Sequence, residues 1–535
     1  MATREGLTRR SFLRRAGAAA AGLTLGRAAA TAAPPAATTA LDPSKLAPWV
    51  DPLPIPQMLR NTEMRPSPDD SKLELPYYKV AMREVRQKVH RDLPPTRMWG
   101  FNTSSPGPVF ETRSGHGLLV EWSNELPAKH FLPVDHTLYG AEPDKPEVRA
   151  VAHLHGGRTP PHSDGFPGDW TISGQSVLYH YPNQQDAALL LYRDDAMGIS
   201  RLNNYAGLQG LFLVRDDLED SLNLPRGKYE VPLLLCDRTL RTDGQLDYPV
   251  SPDPKAPWVP SVLGNVVLAN GKLWPFLSVE PRIYRFRIAN GSNERVLQLT
   301  MGEMLEMQHI GSDQGLLAAP VSANKIGLAP SERADLLFDF SPYAGERVVL
   351  KSVGFDIVQF RVASTGTEDT SSVPQNLRPI ERTPEGRAVK TRRLTLDGSA
   401  GKGPTGTFLL NKTPWQTPVT ERPVLGTTEI WELVNLTGDF QPIHLHLVRF
   451  QLLDRRPFDA AAYRDKGELH FAGAATGPDP GEAGWKDTVR CEPGTVTRII
   501  VPFEGYAGDY AWGCAALERA DNQMMRPFEV VPAGK

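Results

Sequence analysis

Cysteine is scarce in this chain: three residues in 535, Cys236, Cys491 and Cys514. At most one disulfide can form, so no disulfide framework holds the fold and a large apolar core has to. Long apolar runs are missing too. No segment reaches the ~18 consecutive apolar residues that a membrane-spanning helix needs, which argues against a transmembrane segment. An excess of basic charge is the third absence. Lys and Arg number 59 against 62 Asp and Glu, for a net charge of -3, and no block of basic residues occurs beyond the N-terminus. That removes the electrostatic footprint of a nucleic-acid-binding protein.

What the chain has in quantity is turn formers, with Gly 46 and Pro 49. Many short runs of Val, Leu, Ile and Phe end in Pro, Gly, Asn or Asp, a pattern that predicts an all-β protein with many turns. The length favours about three domains. Strands are expected over 77–89, 96–112 with a turn at Pro106-Gly107-Pro108 dividing it, 117–123 and 148–155, then over 229–235, 265–268, 284–288 and 333–340 with a hairpin turn at Asn270-Gly271-Lys272. A third set is expected over 407–410, 427–435, 444–453, 496–502 and 509–514. Residues 365–390, rich in Thr, Ser, Pro and charge, read as a linker. The division is therefore 1–40, 41–227, 228–364, the linker 365–390, and 391–535.

The first forty residues read as an address. Thr8-Arg9-Arg10-Ser11-Phe12-Leu13-Arg14 precedes a weakly apolar Ala-rich stretch and small residues suited to cleavage, and together these resemble a twin-arginine export signal. An exported mature protein, extracellular or associated with the cell envelope, is expected to begin near residue 33 to 41, with the twin-arginine export machinery as its partner during secretion. That route carries folded proteins, often with a cofactor inserted.

Near the C-terminus, Cys514 and Met524 bracket a short segment. A thiolate with a weak axial thioether is half of an electron-transfer copper site, and two imidazoles are the other half. Arg519, between the two sulfurs, has no lone pair to give. Elsewhere two His-x-His pairs occur, His153 with His155 and His444 with His446. On a strand, residues two apart share a face, so each pair presents two imidazoles together.

The motifs His153-Leu154-His155-Gly156-Gly157, Pro442-Ile443-His444-Leu445-His446-Leu447, Leu328-Ala329-Pro330-Ser331-Glu332-Arg333, Gly484-Trp485-Lys486-Asp487-Thr488 and Met524-Met525-Arg526-Pro527 resemble those of three-domain multicopper oxidases, in the branch of spore-coat laccases, bilirubin oxidases and phenoxazinone synthases. The resemblance implies three cupredoxin-like Greek-key β-sandwich domains. It also implies that His153 and His444 hold a type 2 copper, while His155 and His446 each hold one copper of a type 3 pair.

The same resemblance shows what has been lost. The remaining type 3 positions are Arg193, Asp195, Gly513 and Ala515, and the type 1 imidazole positions are Gln441 and Arg519; none is histidine. A full four-copper complement is not expected, and copper or another single transition metal on some of His153, His155, His444 and His446 is. Three functions stay open at this point. One is an oxidoreductase with a reduced metal complement acting on a small aromatic or phenolic metabolite. Another is a metal-independent enzyme using Asp195, a remaining histidine and Arg193 or Arg519 as catalytic groups, if the imidazole volumes lost at Gly513 and Ala515 leave a cavity and are not filled by the arginine side chains. The last is a non-catalytic module.

Overall fold

A computed structural model describes residues 39–399 and 407–534. The expected export segment lies almost wholly outside those residues. The described chain from Thr39 onward forms one compact unit built of strands, with a few short helices.

Alternation of apolar and polar residues gives each strand one face to bury, and six sheets accordingly pair into three sandwiches, each around its own core. The first core is centred on Trp99, Trp122, Tyr192 and Phe212, the second on Phe286, Leu336 and Phe360, the third on Trp431, Trp512 and Phe528. The all-β, cupredoxin-like architecture expected from the sequence is what forms. In each sandwich an early strand runs parallel to a later one: Glu74–Gln87 with Leu118–Asn124, Glu230–Leu240 with Ile283–Asn290, and Ala388–Ser399 with Thr428–Asn435. Parallel neighbours require a crossover, as Greek-key connections provide.

One strand serves two cores. Along Val266–Ala269, Val266 and Leu268 pack into the first core while Val267 and Ala269 pack into the second. The period-2 alternation of a strand allows this when both faces are apolar. The adjoining turn has Asn270 at φ 47° and Gly271 at φ 78°, the paired left-handed residues of a tight hairpin.

The turn expected at Pro106-Gly107-Pro108 divides 96–112 into Thr96–Phe101 and Phe110–Arg113. The structure departs from the sequence reading in two places. The run over 444–453 breaks, into Gln441–Leu445 and Gln451–Pro457, because Leu447 takes φ 67° and the Val448 amide turns back onto the His446 carbonyl at 2.8 Å. That turn moves the chain from one sheet of the third sandwich to the other. The second departure is in the expected linker, where Ala388–Ser399 is already a strand.

The site is positioned by the first and third sandwiches. His153 lies on Ala152–His155, an edge strand beside Ala188–Asp194; His444 lies on Gln441–Leu445, between Thr488–Cys491 and Gly508–Cys514. Two short helices tie the sandwiches together near it. Asp521, on Leu517–Asp521, accepts the backbone N–H groups of Ser200 and Arg201 at 3.2 and 2.9 Å and the Arg201 guanidinium at 3.0 Å.

Candidate metal centre

The four histidines converge. Rings from different sandwiches stack in two pairs, His155 on His444 with centroids 3.5 Å apart and His153 on His446 at 3.8 Å. All four are buried. Two aspartates, neither singled out as a site residue from the sequence, hold them in mirrored fashion. The Asp164 carbonyl accepts from His153 Nδ1 at 2.6 Å, and its carboxylate accepts from His446 Nδ1 at 2.7 Å. The Asp487 carbonyl accepts from His444 Nδ1 at 2.9 Å, and its carboxylate lies 3.3 Å from His155 Nε2. Each aspartate thus grips one ring of its own sandwich by backbone and one of the opposite sandwich by side chain.

Beneath the cluster, Asp487 is anchored by Arg333, with Nη1 to Oδ1 at 2.8 Å and Nη2 on the other carboxylate oxygen, and by Gln314 Nε2 at 2.6 Å. Burial resists ionisation of Asp487, but the Arg333 guanidinium outweighs it and holds the carboxyl well below the usual carboxylate range. Gly156 makes this approach feasible. A Cβ there would lie 2.5 Å from Arg333 Nη2 and 2.7 Å from Asp487 Oδ2, and the residue sits at φ 87°.

Electrostatically the cluster favours neutral imidazoles. Burial first, and neighbouring rings and cations second, hold His153, His155 and His446 well below the ordinary histidine value. Their lone pairs are free for coordination. The residues present fit a metal at this point: His153 and His444 are oriented through Nδ1 by backbone carbonyls, while their buried Nε2 atoms have no hydrogen-bond partner among the described residues. That is how a ligating imidazole is held, and an unpartnered buried polar atom otherwise costs about 1–3 kcal/mol. One ligand atom from each of His153, His444 and His446 lies within 4.8 Å of the others, and the same holds for His155, His444 and Asp487.

Arg193 and Asp195 stand beside the cluster. Asp195 Oδ1 is 3.7 Å from Arg193 Nη2, and Asp195 Oδ2, which has no hydrogen bond among the described residues, is 3.6 Å from His446 Nε2. Burial pushes the Asp195 carboxyl up to about 6, with Arg193 pulling the other way. Arg193 and His153 are directly opposite one another across the strand pair.

Arg519 is not part of this constellation. Its guanidinium donates to the Phe440 carbonyl and Gln441 Oε1, each at 2.8 Å, and to Glu294 Oε1 at 2.5 Å. Grouping it with Asp195 and Arg193 as one set of catalytic groups is therefore corrected, because Glu294 has captured it. The space beside Gly513, which the sequence leaves open as a cavity or as a filled, repacked interface, is filled. A Cβ on Gly513 would lie 2.7 Å from the Met524 carbonyl oxygen and 2.8 Å from Met525 Cα, so neighbouring backbone occupies that space.

The Cys514 position does not fit a copper. Its Sγ is 3.3 Å from Gln441 Oε1, and burial pushes its thiol up to about 12, with the Arg519 cation pulling the other way. A protonated thiol beside a guanidinium offers neither the thiolate nor the imidazoles an electron-transfer copper requires.

With this geometry in view, comparison with known proteins is decisive. The chain is 43% identical over 515 residues to a laccase of Bacillus subtilis, covering 91% of this chain and 99% of that protein. It belongs to the multicopper oxidase family. A laccase of Haloferax volcanii is 37% identical over 519 residues, covering 90% of this chain and 85% of its own length. The family model described as multicopper oxidase matches residues 390–534. Among solved structures, a laccase from Pediococcus acidilactici superposes with a TM-score of 0.75 at 27% identity, covering 91% of this chain and 95% of that one. A multicopper oxidase from Aquifex aeolicus, at 24% identity and a TM-score of 0.73, shares the fold.

Proposed function

We propose that this multicopper oxidase family member is an exported oxidoreductase with a reduced metal complement, holding one transition metal, copper or another, and not the four coppers of a laccase. The observation that carries the reading is the pair of buried Nε2 atoms of His153 and His444, unpartnered among the described residues, each ring fixed through Nδ1. His446 is the third ligand. The ion-paired Arg519 supports the absence of an electron-transfer copper. A bound metal would supply Lewis acidity and one-electron chemistry. The chain's own contribution is to orient the imidazoles through Asp164 and Asp487, to exclude water by burial, and to hold a proton at Asp195 Oδ2 beside His446. A small aromatic or phenolic substrate follows from the kinship with laccases.

The test is metal analysis of His153→Ala and His444→Ala protein purified beside wild type. Loss of metal and activity together in both variants is expected. Activity retained without metal would instead support the second reading, a metal-independent acid–base enzyme using Asp195 and His446. What favours that reading is their 3.6 Å separation and an Asp195 carboxyl pushed up to about 6. Turnover that resists chelators and disappears in Asp195→Asn is its signature.

A further inference from the structure

Away from the histidines, a cleft of about 1090 Å³ runs along the segment that straps the second sandwich to the first. The strap is fixed at both ends: the Leu53 amide donates to the Phe276 carbonyl at 2.7 Å, and the Leu59 amide to the Val109 carbonyl at 2.7 Å. Asn270 Nδ2 bonds the Pro54 carbonyl at 2.8 Å in between. The walls are therefore built before any ligand arrives.

The charge of this cleft is one-sided. Arg60, Arg86, Lys88 and Lys272 line it, and among the described residues no Asp or Glu does. Lys272 has Asp51 at 3.3 Å. Among the described residues Arg60, Arg86 and Lys88 have no carboxylate partner, while Arg97, opposite Arg86 on the next strand, is taken by Glu84. Three such cations lining one cleft concentrate anions.

The remaining lining narrows the ligand class. Ile55 and Met58, 48% and 46% exposed, offer apolar surface, and the exposed side chains of Gln57 and Thr103, unbonded among the described residues, can bond hydroxyl groups. Phe101, the one aromatic ring among the described residues of the lining, is fully buried, so the cleft lacks the stacking platform that single-stranded nucleic acid uses. We propose that the cleft binds an acidic polysaccharide, a chain of hydroxyl-rich sugar rings carrying carboxylate or sulfate groups.

The test is titration calorimetry on the full chain with a mannuronate hexamer, a sulfated mannose hexamer, a neutral mannose hexamer and a dodecameric oligothymidylate. Either or both acidic sugars bind, the neutral one at least tenfold more weakly. The triple variant Arg60→Ala, Arg86→Ala, Lys88→Ala loses at least tenfold in affinity, and its logarithmic salt slope flattens by about 2–3. All three side chains are exposed, and an unchanged melting temperature checks that the fold survives. Arg387→Ala, Lys390→Ala, Lys412→Ala, equally exposed, leaves binding intact. The proposal is overturned by absence of binding, by equal binding of the neutral sugar, by equal loss in the two triple variants, or by an oligothymidylate that binds more tightly than either acidic sugar.

Discussion

Arg519 donates to Glu294 at 2.5 Å and to Gln441 at 2.8 Å, so that a permanent cation and its carboxylate sit next to Cys514 in the third sandwich. The consequence is that this position cannot be converted to a copper site by one substitution. Removing one partner of a buried ion pair leaves the other charge uncompensated, at about 3–5 kcal/mol. Arg519→His should therefore lose stability on that scale in chemical denaturation and show no intense blue absorption with copper. Adding Glu294→Gln should recover part of the loss. An Arg519→His protein as stable as wild type would contradict the pairing.

Gly513 is a packing requirement. Backbone atoms of Met524 and Met525 would lie 2.7 and 2.8 Å from a Cβ at that position, so Gly513→Ala should cost about 1–3 kcal/mol through overpacking, and Gly513→His more. A neutral Gly513→Ala would mean that the adjoining strand yields easily.

Asp487 holds both His444 and His155 and is itself paired with Arg333. Asp487→Ala should cost about 3–5 kcal/mol and weaken metal retention. Its carboxyl lies below its unfolded value of 3.8, so the stabilisation is fully present above about pH 4 and is lost only as the pH falls through the still lower folded value. The gap between wild type and variant should stay constant from about pH 5 to 8 and close only in strong acid.

Glu518 gives the opposite sign. Burial pushes its carboxyl up from 4.5 to about 7, although Tyr248 Oη and Asn293 Nδ2 both donate to it. A folded-state value above the unfolded one means that stability falls as pH rises from about 4.5 to 7. Between about pH 5 and 8 wild type should lose about 2–3 kcal/mol more than Glu518→Gln, which keeps the acceptor oxygen. Equal losses in urea titrations at the two pH values would refute this.

Much of the fold was legible because it is locally encoded. Strand alternation, Gly and Pro punctuation and the Asn270-Gly271 turn point to the all-β class and most strands. The break at Leu447 was not legible, since an apolar residue at positive φ carries no local signal. His153, His155, His444 and His446 could be found by their spacing and motifs. Asp164 could not, because it reaches His446 across 282 positions of sequence and nothing near it marks a site. Asp487 stands within the Gly484–Thr488 motif, but its dual grip on His444 and His155 depends on two sandwiches meeting. The pairing of Arg519 was hidden for the same reason: only the folded chain shows Glu294 beside it.

The most direct test is metal content per chain by elemental mass spectrometry, with a visible spectrum, on full-length protein folded with excess copper. About one metal per chain without an intense blue band is the expected result. Four coppers per chain with that band would contradict the account, because they would require imidazole ligands where the sequence has Arg193, Asp195, Gln441, Gly513, Ala515 and Arg519.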